Sequence, residues 1–135
     1  VNAELDPVLL TGNDAIDAQH RELFAHLSTL LTASRERRSQ QEVAGLLDFL
    51  GDYVVRHFAA EDALMAQGGY PGIEAHRAEH RDFVKQYEVL RRELRSEGPS
   101  RLFAIRLGNR VTAWLREHIY RTDRLLAEWL RDHPR

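Results

Sequence analysis

Apolar residues return every three or four positions along most of this chain, the period of helices with one buried face. The clearest stripe runs Ile73, His76, His80, Phe83, Tyr87, Leu90, Leu94. A second reads Val43, Leu46/Leu47, Leu50, Tyr53/Val54, His57, Glu61, Leu64/Met65. An earlier one reads Ile16, His20, Leu23/Phe24, Leu27, Leu30/Leu31, and the last Phe103, Leu107, Val111, Trp114/Leu115, His118/Ile119, Leu126, Trp129/Leu130. No segment sustains a two-residue alternation, so strands have no support. Breaks fall at Pro7 to Asn13, Ser34 to Gln41, Gly68 to Gly72 and Glu97 to Ser100, leaving four stretches of roughly 20 to 30 residues. Asn13 or Asp14 suits the first helix N-cap and Ser100 the fourth. Short links force neighbours antiparallel. The expectation is an all-α, up-down-up-down four-helix bundle over 14–135 with an N-terminal arm over 1–13, one domain in all.

Composition narrows the chemistry. With 135 residues and no cysteine, disulfides, thiolate metal sites and cysteine nucleophiles are excluded. Nineteen basic against 21 acidic residues leave no electropositive excess for nucleic acid. No uncharged run approaches the ~18 residues of a membrane span, and no secretory signal is present. A soluble, cytoplasmic protein is expected. The chain opens on Val1, consistent with loss of an initiator Met or excision from a longer protein, as a monomer or fused to another domain.

The anomaly lies in the stripes. His20, His57, Glu61, His76, His80 and His118 stand where Leu or Ile is expected. One such histidine is explained by a hydrogen bond to a carbonyl. Six polar residues converging from four helices are not, because unpartnered buried imidazoles and carboxylates cost several kcal/mol each. A metal ion compensates them directly. His57 and Glu61 are four apart, as are His76 and His80, so each pair shares one face of its helix within about 40°. Asp123 follows His118 by five residues, about 140° away in a regular helix. Either Asp123 lies on the surface, or the helix widens locally, as in a π-turn, to bring both inward.

Competing sites fit poorly. His-Glu-x-x-His and Glu-x-x-His are both missing, as are a Gly-rich phosphate loop and a Gly-x-Ser-x-Gly elbow. A hydrolytic triad has weak support, since the serines lie mostly in or beside loops. His26 and His133 read as solvated surface groups.

The pattern resembles the hemerythrins, particularly the bacterial single-domain forms. The residues that carry the likeness are Ile16-Asp17-Ala18-Gln19-His20 before Leu23-Phe24, His57-Phe58-Ala59-Ala60-Glu61 leading to Gly69-Tyr70-Pro71, His76 and His80 before Phe83, and Trp114-Leu115 before His118-Ile119 and Asp123. They span about nine-tenths of the chain. It departs from the bacterial pattern in having no Trp before helix one and in placing Asn13 after Gly12.

The resemblance implies two iron ions joined by carboxylates and an oxo or hydroxo bridge. By position, His76, His80 and His118 would hold one ion, His20 and His57 the other, with Glu61 and Asp123 bridging. It thus places Asp123 inside. Two histidines leave one coordination position free, where the family binds dioxygen reversibly. Leu115, Phe24, Phe58 and Ile119 would border that pocket, dry and without a proton donor. A nitrogen-rich ligand set favours the ferrous pair. The expected function is an oxygen carrier, store or sensor rather than a catalyst. The alternatives are a di-iron oxidoreductase acting on peroxide, nitric oxide or ferrous iron, a regulatory oxygen- or iron-sensing input domain, and a zinc-binding or metal-free bundle.

Overall fold

The computed structural model describes residues 7–134; residues 1–6 of the arm expected over 1–13 lie outside them. A 3-10 turn at Pro7–Leu9 leads into four long helical rods. These are α1 (Asp14–Arg35), α2 (Gln40–Gly68), α3 (Ile73–Glu97), and α4 (Arg101–Glu117), which continues through a π-helical stretch, His118–Asp123, into α5 (Arg124–Asp132). Asn13 caps α1 by accepting from the Ile16 N–H, Ser39 caps α2 from Glu42, and Ser100 caps α4 from Phe103. Each oxygen satisfies a donor that the first helical turn leaves free. Gly69, at φ 66°, ends α2 in the left-handed conformation that glycine adopts without penalty.

The helices pack as a ring. Both α1 and α3 lie against α2 and α4, which is the arrangement of a four-helix bundle. The apolar stripes meet inside it. Leu23, Phe24, Leu27, Leu30, Leu47, Leu50, Phe83, Leu90, Phe103, Leu107 and Leu115 form one continuous buried cluster. Each such side chain contributes about 1.5–3 kcal/mol by leaving water. A smaller cluster, Ile16, Met65 and Leu126 with Leu64, Tyr70, Ile73 and Leu130 against it, closes the other end. Between the two lies the polar layer, held in an otherwise apolar interior.

Leu9 is buried in the main cluster, and the arm is tied down on both sides. Asp17 accepts from the Thr11 N–H and hydroxyl at 2.8 Å and from Gly12 N–H at 3.2 Å, while Arg124 donates to the Val8 carbonyl. These contacts hold residues 8–12 against the bundle. No helix among the described residues is long and apolar enough to cross a membrane.

Close approach of α2 and α3 depends on Gly51. A Cβ there would run into the Tyr87 ring, whose hydroxyl donates to the Leu47 carbonyl. Gly45, on the same helix, faces open space. Helix propensity alone favours alanine at both positions by about 0.5–1 kcal/mol. Gly45→Ala is therefore expected to stabilise the protein by about that amount, whereas Gly51→Ala overpacks the interface and destabilises it by about 1–3 kcal/mol. Urea denaturation of the two variants, giving opposite signs, checks the packing.

Candidate metal centre

Seven side chains meet in the polar layer. His20 comes from α1, His57 and Glu61 from α2, His76 and His80 from α3, and His118 and Asp123 from the π-helical stretch. All are buried, and His20, Glu61 and Asp123 have no exposed surface. The question of Asp123 is answered by the local backbone: π-helical bonds run i→i+5, so His118 and Asp123 stand one above the other and both point inward.

The two carboxylates organise the rest. Glu61 Oε1 faces His80 Nε2 at 3.0 Å and His76 Nε2 at 3.2 Å, while its Oε2 faces His57 Nε2 at 3.4 Å and His20 Nε2 at 3.9 Å. Asp123 Oδ1 faces His118 Nε2 at 3.0 Å and His76 Nε2 at 3.1 Å, and its Oδ2 faces His20 Nε2 at 3.0 Å. Each carboxylate thus divides its oxygens between a group of three histidines and a group of two. The ligating atoms form two overlapping sets: Glu61, His76, His80, His118 and Asp123, and His20, His57, Glu61 and Asp123, each within 4.8 Å.

These atoms are close without being satisfied. His20 Nε2, His80 Nε2, His118 Nε2, Glu61 Oε2 and both Asp123 oxygens are buried and lack a hydrogen bond of acceptable geometry. Lone pairs from imidazole and carboxylate aimed into one space are what a cation satisfies and a proton network does not. The donor set fits a metal.

The two carboxylates set how the histidines around them titrate. Burial works against charge on His118, yet the Asp123 carboxylate 3.0 Å away and the hydrogen bond to Glu79 raise its pKa to about 10. His76 is likewise opposed by burial and raised to about 9 by Asp123 and Glu61. Burial would raise the pKa of Asp123, but the histidines around it, His118 foremost, hold it well below the usual range. At His57 burial outweighs the opposing charge of Glu61 and pushes the pKa down to about 4.

A second tier of residues fixes the rings, and sequence spacing did not reveal it. His57 Nδ1 meets Gln19 Oε1 at 2.6 Å, and His118 Nδ1 meets Glu79 Oε1 at 2.8 Å. The Thr122 hydroxyl lies 2.8 and 2.9 Å from the two Glu79 oxygens. Phe58 stacks on His80 at 3.7 Å between ring centroids, and Trp114 on His118 at 4.5 Å. Of the residues expected around an oxygen pocket, Phe58 touches a histidine of the layer directly. Phe24, Leu115 and Ile119 are buried in the main apolar cluster. His133 stacks on Trp129 at the C-terminal end, and His26 lies beside Phe49 and Tyr53 between α1 and α2.

The profile of the hemerythrin HHE cation binding domain matches residues 11–130. The chain belongs to the hemerythrin family. Within the family it is 32% identical to a bacteriohemerythrin of Stenotrophomonas maltophilia over 90% of this chain and 77% of that protein. It is 35% identical to one of Methylococcus capsulatus, covering 84% and 85%. A crystal structure of wild-type hemerythrin superposes with a TM-score of 0.76 at 29% identity, covering 89% of this chain and 90% of the other. Hemerythrin membership accords with non-heme iron binding and with the His/Glu/Asp cluster described above.

Because Nε2 of His76 and His118 must be deprotonated to bind metal, loading is expected to release protons. With pKa values raised to about 9 and about 10 by the neighbouring carboxylates, both rings are expected to carry a proton at pH 7 before loading. Release should be about two protons per chain at pH 7 and fall toward zero as the pH passes through those values. Calorimetry of ferrous loading in buffers of different ionisation enthalpy measures the count.

Proposed function

We propose that this hemerythrin-family chain holds two iron ions and binds dioxygen reversibly. The observation that carries the two-ion reading is the split of Glu61 and Asp123, one oxygen of each toward the three-histidine group and one toward the two-histidine group. His76, His80 and His118 would hold one ion, His20 and His57 the other, and Glu61 and Asp123 would span them. The pair, when bound, supplies two electrons and one free coordination position for a small diatomic ligand.

The protein's own contribution is to set unequal ligand numbers and keep the neighbourhood dry. The three-histidine group presents one more imidazole than the other, so a free position would fall on the His20 and His57 side. The apolar cluster that borders the layer includes Phe24, Phe58, Leu115 and Ile119, none of which carries a proton donor. Exclusion of water and protons favours release of the ligand unchanged over its reduction. The stacked Phe58 and Trp114 rings and the Gln19 and Glu79 hydrogen bonds restrain the imidazoles, so that little reorganisation accompanies binding. The match over residues 11–130 supports reading this stretch as one functional unit.

Metal analysis with visible spectra taken anaerobically and then in air tests the proposal. Two irons per chain and a charge-transfer band that appears with oxygen and disappears on its removal are expected. Zinc, a single ion, or sustained turnover of peroxide or nitric oxide would overturn it. Leu115→Ser, which brings a hydroxyl beside the layer, is expected to hasten decay of the oxygen-dependent band about tenfold while iron content stays at two. Stopped-flow spectroscopy reads that rate, and an unchanged rate would remove Leu115 from the pocket.

A further inference from the structure

The second tier around the histidines is chemically lopsided. His118 Nδ1 gives its hydrogen bond to Glu79 at 2.8 Å, and His57 Nδ1 gives its own to Gln19 at 2.6 Å. The two contacts are alike in geometry and ring atom, but one acceptor is an anion and the other a neutral amide. Glu79 is built to stay charged: its side chain is 45% exposed, so water solvates the carboxylate, and the Thr122 hydroxyl lies within hydrogen-bond distance of both oxygens. Gln19 sits at the other flank, where the Tyr53 hydroxyl donates to its backbone carbonyl at 3.1 Å.

An imidazole that donates to a carboxylate takes on part of the character of an imidazolate, and so becomes a stronger electron donor at its other nitrogen. A stronger donor stabilises the more highly charged state of a bound ion. A neutral acceptor orients the ring equally well and transfers far less charge. Orientation alone would therefore be served by either residue at either position.

Resting on the two-iron reading above, we propose that Gln19 and Glu79 are positioning residues that make the two halves of the centre electronically unequal. With iron bound, the charged acceptor on His118 would make that half of the centre the easier to oxidise, and the neutral acceptor on His57 would leave the other half the harder. Each step is a one-electron ferrous-to-ferric change, with the electron passed to an external one-electron acceptor.

The test is a mediated redox titration of the iron-loaded protein, followed by visible and electron paramagnetic resonance spectra through the half-oxidised state. Two separated steps are expected. Glu79→Gln should raise the lower-potential step, and Gln19→Glu should lower the higher one. Each shift should change the oxidised-to-reduced ratio at fixed potential about tenfold, or ~59 mV for one electron. Both variants thus narrow the gap between steps, from opposite sides. Glu79→Asp, which keeps the charge, should retain more of the gap than Glu79→Gln. The variants lie on different helices, so if one fails to hold iron the other decides alone. A gap unchanged or widened in a variant with two irons per chain overturns this inference and leaves the two-iron reading standing. Fewer than two irons in the unsubstituted protein overturns both.

Discussion

Two carboxylates with no access to water, facing five imidazole nitrogens, set the terms for the rest of this molecule. Glu61 and Asp123 carry charge into a layer closed on both sides by apolar side chains, where an unbalanced ion costs several kcal/mol. The chain must supply compensating charge within about one hydrogen-bond length. It does so by bringing all four rods to the same level, so that each long stripe gives up one or two of its hydrophobic positions. Stability is concentrated in the larger cluster, which runs the rest of the bundle's length and contains no such concessions.

Much of this was legible from residue order. The helical period placed Ile16, Leu23, Leu50, Phe83, Leu90, Phe103 and Leu126 in the interior, and all are buried. The caps at Asn13 and Ser100 were readable because a short oxygen-bearing side chain before a periodic stretch has few other uses. The pairs His57/Glu61 and His76/His80 were readable because a four-residue step has a fixed angular meaning on an α-helix. Asp123 was not, on spacing alone. A five-residue step points inward only if the backbone leaves α geometry, and nothing in the side chains of Ile119 to Thr122 announces that.

Glu79 and Gln19 were hidden for a different reason. Each lies one position before a histidine of the layer, at His80 and His20, yet each serves a ring on another helix, 39 residues away for Glu79 and 38 for Gln19. Pairings of that kind are created by how the rods are rotated against one another, and no local pattern encodes it. The π-stacking of Phe58 on His80 and Trp114 on His118 is of the same origin. Helical spacing reads them as packing residues, and the tertiary fold adds a second duty.

The widened stretch at His118–Asp123 joins the two apolar clusters mechanically. Were it to tighten into ordinary α-helix at unchanged length, everything after it would swing by about 100°. Asp123 would leave the layer and Leu126 its niche beside Ile16 and Met65 in the same motion. The final helix is thus latched by chemistry at one point and by grease at another.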